Sequence, residues 1–241
     1  MMKYAVSKFS IKIKQLVGNI AARLFRAAIG RIIVDLELMG AARAAFSSSD
    51  LVNESMSDAR SCISRMNVLE VAFEAAKMDG FVCELGVYRG ESLNKIAQHY
   101  NGEVVYGFDT FSGLPESWRD GFSEGVFDVS DEVLSFEKNC QLYKGLFSET
   151  LPVFLDDVEG GAKLIHVDCD LYSSSVCALR LLAPRIRPGT VIVFDEYFNY
   201  PGWKEHEYKA FVEFMKNSDL SYKYIAYNKF GQQVAVIIVN R

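Results

Sequence analysis

The chain has 241 residues, half of them apolar and 24% charged, with a formal net charge of −5. That length suits one sizeable core plus an extension, and the balance is that of a folding globular protein rather than a disordered or fibrous one. The negative charge argues against a nucleic-acid binder, whose phosphate contacts need clustered Lys and Arg. Five cysteines, with no CxxC pair and no secreted-scaffold spacing, predict neither a disulfide framework nor a zinc site and fit a cytoplasmic protein.

The N-terminus differs from the rest. Lys3, Lys8, Lys12, Lys14, Arg23, Arg26 and Arg31 all precede the first acid, Asp35. Phe9, Ile13, Leu16, Ile20 and Leu24 recur at three- and four-residue steps, which predicts an amphipathic helix. Arg23, Arg26 and Arg31 interrupt every window long enough to span a bilayer, and no small-residue cleavage site follows a compact apolar core. Two readings follow: peripheral membrane contact through this basic helix on anionic lipid, or packing on its own domain or on the partner subunit of a homodimer. The polar run Ser47-Ser48-Ser49-Asp50 reads as a break. A second helical stretch follows, with Met66, Leu69, Val71, Phe73 and Ala76 as its apolar positions, ending at Asp79-Gly80. This divides the chain into a basic helical extension, 1–55, and a domain, 56–241.

From Phe81 onward, short apolar runs alternate with helical patterns, the signature of βαβ units and a parallel sheet. The strand runs are Phe81–Leu85, Val104–Phe108, Gln141–Lys144, Lys163–Val167 and Thr190–Phe194. Helices are expected near Ser92–His99, Asp131–Asn139, Ser174–Leu182 and Lys204–Lys216. Tyr222–Tyr227 and Gln232–Val239, joined by Asn228-Lys229-Phe230-Gly231, predict a terminal antiparallel pair. The expected fold is α/β: a Rossmann-like, doubly wound, seven-stranded sheet, mostly parallel, with an antiparallel C-terminal strand. The all-parallel dinucleotide-binding fold lacks that last feature, which is the arrangement expected of class I methyltransferases.

In such sheets ligands bind beyond the carboxyl ends of the strands, so the residues after each run are the candidates. Glu84-Leu85-Gly86-Val87-Tyr88-Arg89-Gly90 is a glycine-containing turn that lets backbone approach a ligand. It is not G-x-G-x-x-G, and Glu84 would repel a pyrophosphate but suit the ammonium or sulfonium region of S-adenosylmethionine. Asp109, about twenty residues past the turn, is placed to accept hydrogen bonds from ribose hydroxyls, or else to cap a turn before Ser112-Gly113. Gly145-Leu146-Phe147-Ser148 would bracket a flat adenine. The cofactor-binding set is thus Glu84, Gly86, Tyr88, Gly90, Asp109, Ser112, Gly145 and Leu146.

Two further segments, His166-Val167-Asp168-Cys169-Asp170-Leu171-Tyr172 and Phe194-Asp195-Glu196-Tyr197, each bring two acids to a strand end. If the strands are neighbours, four carboxylates converge, and they must be protonated, paired or bound to a cation. Hard oxygen donors without a His or Cys cluster suit Mg²⁺, Ca²⁺ or Mn²⁺ better than zinc. The alternative has Asp170 capping the next helix while Asp195 and Glu196 face water. A metal and a carboxylate base would together ease deprotonation of a sugar-type hydroxyl. His99 and His166 read as structural; His206 reads as a substrate-side base or a solvated helix position.

The chain resembles the macrocin O-methyltransferase family (TylF and MycF type) from about Met56 to Phe214. The matching stretches are Phe81–Gly90, Tyr106–Pro115, Lys144–Pro152, Asp168–Ser174 and Arg187–Tyr197, in that order. The resemblance implies a class I S-adenosylmethionine-dependent methyltransferase that uses a divalent cation, usually Mg²⁺, to methylate a sugar hydroxyl of a natural product. It implies that Asp168 is both metal ligand and general base, and that Asp195 and Glu196 complete the metal site. Glu196 stands where the family usually has Asp, and Leu146 where Trp is common.

The expected partner is therefore a small-molecule or glycan acceptor, a natural product or a surface polysaccharide, with Glu116–Val133 and its Trp118, Phe122 and Phe127 as the acceptor lid. Two other classes of function compete: a catalytically silent cofactor-binding scaffold subunit and a nucleotide-dependent oxidoreductase. Retention of Asp168, Asp195 and Glu196 argues against the first; Glu84 and the antiparallel ending argue against the second.

Overall fold

Buried Val, Ile, Leu and Phe build the centre of the sheet in β2 (Phe81–Leu85), β5 (Ala162–Val167) and β6 (Val191–Phe194). These strands are covered on both faces, which is why they read as continuous apolar runs rather than as alternation. The computed structural model describes residues 17–30 and 34–241. The expectations placed on Lys3, Lys8, Phe9, Lys12, Ile13, Lys14, Leu16 and Arg31 lie outside them.

The remaining strands are β1 (Arg60–Cys62), β3 (Val105–Asp109), β4 (Cys140–Lys144), β7 (Leu220–Asn228) and β8 (Val234–Asn240). The sheet order is β1-β7-β8-β6-β5-β2-β3-β4. Only β8 runs against its neighbours, antiparallel to β6 and to β7. The doubly wound, mostly parallel sheet with an antiparallel last strand is thus as expected, except that it has eight strands rather than seven. The added strand is β1, three residues on the edge, parallel to β7.

Helices cover both faces. Residues 17–30 form α1, exposed along its whole length, followed by α2 (Leu36–Ser55), α3 (Arg65–Ala75), α4 (Glu91–His99), α5 (Phe147–Asp157), α6 (Tyr172–Leu182) and α7 (Glu207–Lys216). On one face Val68, Leu69 and Ala72 of α3 and Leu93 and Ile96 of α4 pack with Val82, Leu164 and Val193. On the other, Leu151, Phe154, Leu179 and Phe211 pack with Cys83, Ile165 and Phe194. No helix among the described residues is long and apolar enough to cross a membrane.

Two local expectations need correction, and one helix was not anticipated. Asp131–Asn139 is not helical: Asn94 of α4 donates to the Ser135 carbonyl and accepts from the Glu137 N–H, taking backbone groups a helix would need. Phe147–Asp157 is a helix despite Pro152. Ser47-Ser48-Ser49-Asp50 lies inside α2 rather than breaking it. The serine hydroxyls are satisfied within the helix, Ser47 and Ser48 both donating to the Ala44 carbonyl at 3.0 and 2.7 Å.

Those same hydroxyls dock α2 on the domain. Ser48 Oγ accepts from the Asn199 N–H at 2.8 Å, and Ser47 Oγ from Trp203 Nε1 at 3.0 Å. Ser48→Ala strands the Asn199 donor and should cost about 1–3 kcal/mol, read as a lower urea midpoint; an unchanged midpoint would mean α2 is held elsewhere.

Candidate active site at the carboxyl ends of the central strands

Chain order reverses between β2 and β5, since β3 and β4 lie to one side and β6 to the other. A cavity of about 430 Å³ opens there, where open α/β sheets take ligands. Its walls include Gly86, Tyr88, Asp109, Gly145, Leu146, Asp168, Asp170, Asp195 and Glu196.

The glycine turn is shaped for close approach. Gly86 has φ +93°, and a Cβ there would collide with the Asp168 carbonyl, so β2 and the loop after β5 touch backbone to backbone. Asp109 organises the turn: one oxygen accepts from the Val87 and Tyr88 N–H groups at 2.6 and 2.7 Å, the other from Phe111 N–H at 2.7 Å. The carboxylate keeps lone pairs for further donors while lining the cavity. Gly90, at φ +80°, precedes α4, but its missing Cβ makes room for the Phe136 ring rather than for the cavity. Ser112 sits outside this cavity, in an adjoining hollow that Gly145 and Leu146 also line.

Glu84 departs from its expected place. It is fully buried and does not line the cavity; its Oε1 pairs with His166 Nδ1 at 2.6 Å across the β2–β5 register. It therefore does not face a cofactor's cationic end directly. Glu84 and His166 stand on the same face of the sheet because the side-chain period is two.

The acids after β5 and β6 do converge. Asp168, Asp195 and Glu196 each place an oxygen so that all three lie within 4.8 Å of one another. Two residues that the sequence did not single out hold this group. Glu207 at the start of α7 is fully buried and accepts from the Cys169 and Glu196 N–H groups at 3.4 and 3.2 Å, joining the two acid-bearing loops. Arg65, first residue of α3, places its guanidinium 3.7 Å from Asp168 Oδ2 and 3.8 Å from Asp195 Oδ1. Neither carries a local motif, so chain pattern offered no signal for them.

Charge explains the titration of the cluster. Burial, reinforced by the neighbouring carboxylates, pushes Asp168 and Glu196 well above the usual carboxylate range, Asp170 up to about 7 and Glu207 up to about 8. Asp195 is also buried, yet His166, Arg65 and a hydrogen bond from Gln233 outweigh that cost and lower its pKa. Burial alone would lower His166, but Asp195 and Glu84 raise it to about 10. At 3.7 Å the His166–Asp195 contact is a charge interaction rather than a hydrogen bond.

Outside the cavity lining, Trp118, Phe122 and Tyr200 surround the Arg119 guanidinium, which stands 3.9 Å from the Trp118 ring centroid. Phe127 reaches the cavity wall and meets Tyr88 edge-on. His206 is half-buried against Trp118 and Tyr200, outside the cavity lining.

A pH prediction follows from His166. Its folded pKa is raised above the ordinary 6.5 to about 10, so the stability it contributes is full below pH 6.5 and lost as the pH rises through 10. Glu84→Gln weakens that pairing and should flatten the alkaline fall in urea midpoint while lowering the midpoint near neutral pH. Parallel pH profiles for variant and wild type would contradict it.

Comparison with known proteins places this geometry. The methyltransferase domain family matches residues 83–197. The 8-demethyl-8-(2,3-dimethoxy-alpha-L-rhamnosyl)-tetracenomycin-C 4'-O-methyltransferase of Streptomyces olivaceus is 29% identical over 161 residues, 56% of this chain and 60% of that enzyme. The demethyldecarbamoylnovobiocin O-methyltransferase of Streptomyces niveus is 26% identical over 156 residues, 54% of this chain and 58% of that one. The chain thus aligns with about three-fifths of the length of these curated relatives. In fold it is similar to the solved O-methyltransferase NovP, with TM-score 0.54, 22% identity and coverage of 72% of this chain and 79% of that one. The calicheamicin methyltransferase CalS11 superposes with TM-score 0.52 and 19% identity over 75% of this chain and 87% of its own. Residues 83–197 are thus similar to the methyltransferase domain family, and they lie on a Rossmann-like sheet.

Proposed function

We propose that the protein is an S-adenosylmethionine-dependent O-methyltransferase, of the macrocin type, that methylates a hydroxyl on a sugar or glycosylated small molecule. One observation carries the reading: the glycine turn ordered by Asp109 and the Asp168–Asp195–Glu196 triad line one cavity. Similarity to the tetracenomycin and novobiocin O-methyltransferases supports the glycosylated acceptor. In this reading the cofactor lies over Gly86–Gly90, with its ribose toward Asp109 and its adenine toward Gly145 and Leu146. Ser112 would reach it only from the adjoining hollow.

A divalent cation, Mg²⁺, fits the triad. The donors are hard oxygens, and Glu196 Oε2 is a buried atom without a hydrogen-bond partner. Asp168, Asp195 and Glu196 would hold it. When bound, such an ion supplies positive charge that lowers the cost of ionising a nearby hydroxyl.

The transfer itself is a positioning problem. The acceptor oxygen attacks the methyl carbon in line with the carbon–sulfur bond; that bond breaks, and sulfur keeps the electron pair as a neutral thioether. Asp168, at the cavity wall, takes the hydroxyl proton. Trp118, Phe122 and Phe127 form the acceptor side, closing over the sugar and excluding water.

In the same reading residues 56–241 form the catalytic domain, 1–55 an extension docked through α2, and the protein works in the cytoplasm as a homodimer. Contact of the basic N-terminus with anionic membrane remains a further part of the proposal.

Asp168→Asn should bind S-adenosylmethionine within about twofold of wild type yet lose roughly 10²–10⁴-fold in turnover. The assay is labelled-methyl incorporation into glycoside extracts. Methylation at the wild-type rate would remove Asp168 as the base.

A further inference from the structure

Among the described residues, Arg65 is the one guanidinium in the wall of the cavity that faces two of the three triad acids at once. It opens α3, whose N-cap Ser64 accepts from the Asn67 N–H at 3.2 Å, so a helix start fixes its backbone at the cavity rim. Its Nη2 lies 3.7 Å from Asp168 Oδ2 and its Nε 3.8 Å from Asp195 Oδ1. Both separations exceed hydrogen-bond reach, and Nε, though buried, has no hydrogen-bond partner. The contact is therefore coulombic and lacks the bidentate fork that makes Arg–carboxylate pairs tight. The side chain is 35% exposed and borders open cavity, so it has room to swing away.

We propose that Arg65 is the resident counter-cation of the Asp168–Asp195–Glu196 cluster and competes with a divalent cation for the same carboxylates. The proposal rests on the metal reading given above. A guanidinium a few ångströms from two ligand oxygens repels an incoming dication and partly neutralises the acids that would bind it. It also offsets part of the mutual repulsion that brings Asp168 and Asp195 into conflict. His166 offsets Asp195 from the buried side but is locked to Glu84, which leaves Arg65 as the cation that can yield. Metal affinity at this centre is then set by how readily Arg65 gives way, in addition to the identity of the three ligands.

The direction of the expected effect separates this from a merely structural role. Calorimetric titration with Mn²⁺ is made on wild type, Arg65→Met and Arg65→Lys. Losing the charge should tighten Mn²⁺ binding about tenfold in Arg65→Met, whereas Arg65→Lys keeps the charge and should stay within about twofold of wild type. Arg65→Met should also melt earlier than wild type without added divalent ion and recover when Mn²⁺ is present. Should Arg65→Met not fold, Arg65→Gln carries the same expectation. Wild-type Mn²⁺ binding that is unchanged or weaker in the neutral variants overturns this inference alone, as does equal tightening by Arg65→Lys. Absence of Mn²⁺ binding in every protein overturns the metal reading as well.

Discussion

Like charges a few ångströms apart inside a protein repel strongly unless something offsets them, and the carboxyl ends of β2, β5 and β6 gather Glu84, Asp168, Asp170, Asp195 and Glu196 over the buried Glu207. The surrounding structure is arranged to meet that cost. His166 pairs with Glu84 below the cluster and faces Asp195; Arg65 faces Asp168 and Asp195 from the rim; backbone N–H groups of Cys169 and Glu196 point at Glu207. What is left over is negative charge directed at a cavity. In the proposed reading, that leftover is what would attract a cation and take a proton.

The sheet decides where this charge falls. Because β5 lies between β2 and β6, the loop after β5 touches the glycine turn through Gly86 and the acid pair after β6 through the Val167–Asp195 backbone hydrogen bond. A ligand on the turn is therefore beside the acids without any long-range movement. Asp109 serves the same geometry from the opposite wall: its hydrogen bonds to Val87, Tyr88 and Phe111 hold the turn open toward the cavity. The aromatic cluster around Arg119 lies outside the lining of the cavity.

Much of the fold was legible because central strands buried on both faces write themselves as apolar runs; the predicted strand runs from Phe81 to Phe194 coincide with β2–β6 to within a residue. The misses have separate causes. Asn94 withdrew Asp131–Asn139 from a helix, the Ala44 carbonyl kept Ser47 and Ser48 inside one, and β1 is too short to carry a periodicity. The acids of the site were legible, since each follows directly on a strand. The groups that hold them were not: the cation Arg65 and the buried Glu207 lie on helices whose approach to the cluster exists only in three dimensions. Glu84 was noticed for the right position and given the wrong neighbour, because strand register, not sequence, seats it against His166.

The account depends on what occupies the wall between Gly86 and Asp109. Calorimetric titration of the full chain with S-adenosylmethionine and, separately, with NADH tests it most directly. The expected result is one-to-one binding of S-adenosylmethionine, weakened by Asp109→Ala, with no response to NADH. Tight NADH binding with no heat from S-adenosylmethionine would contradict it.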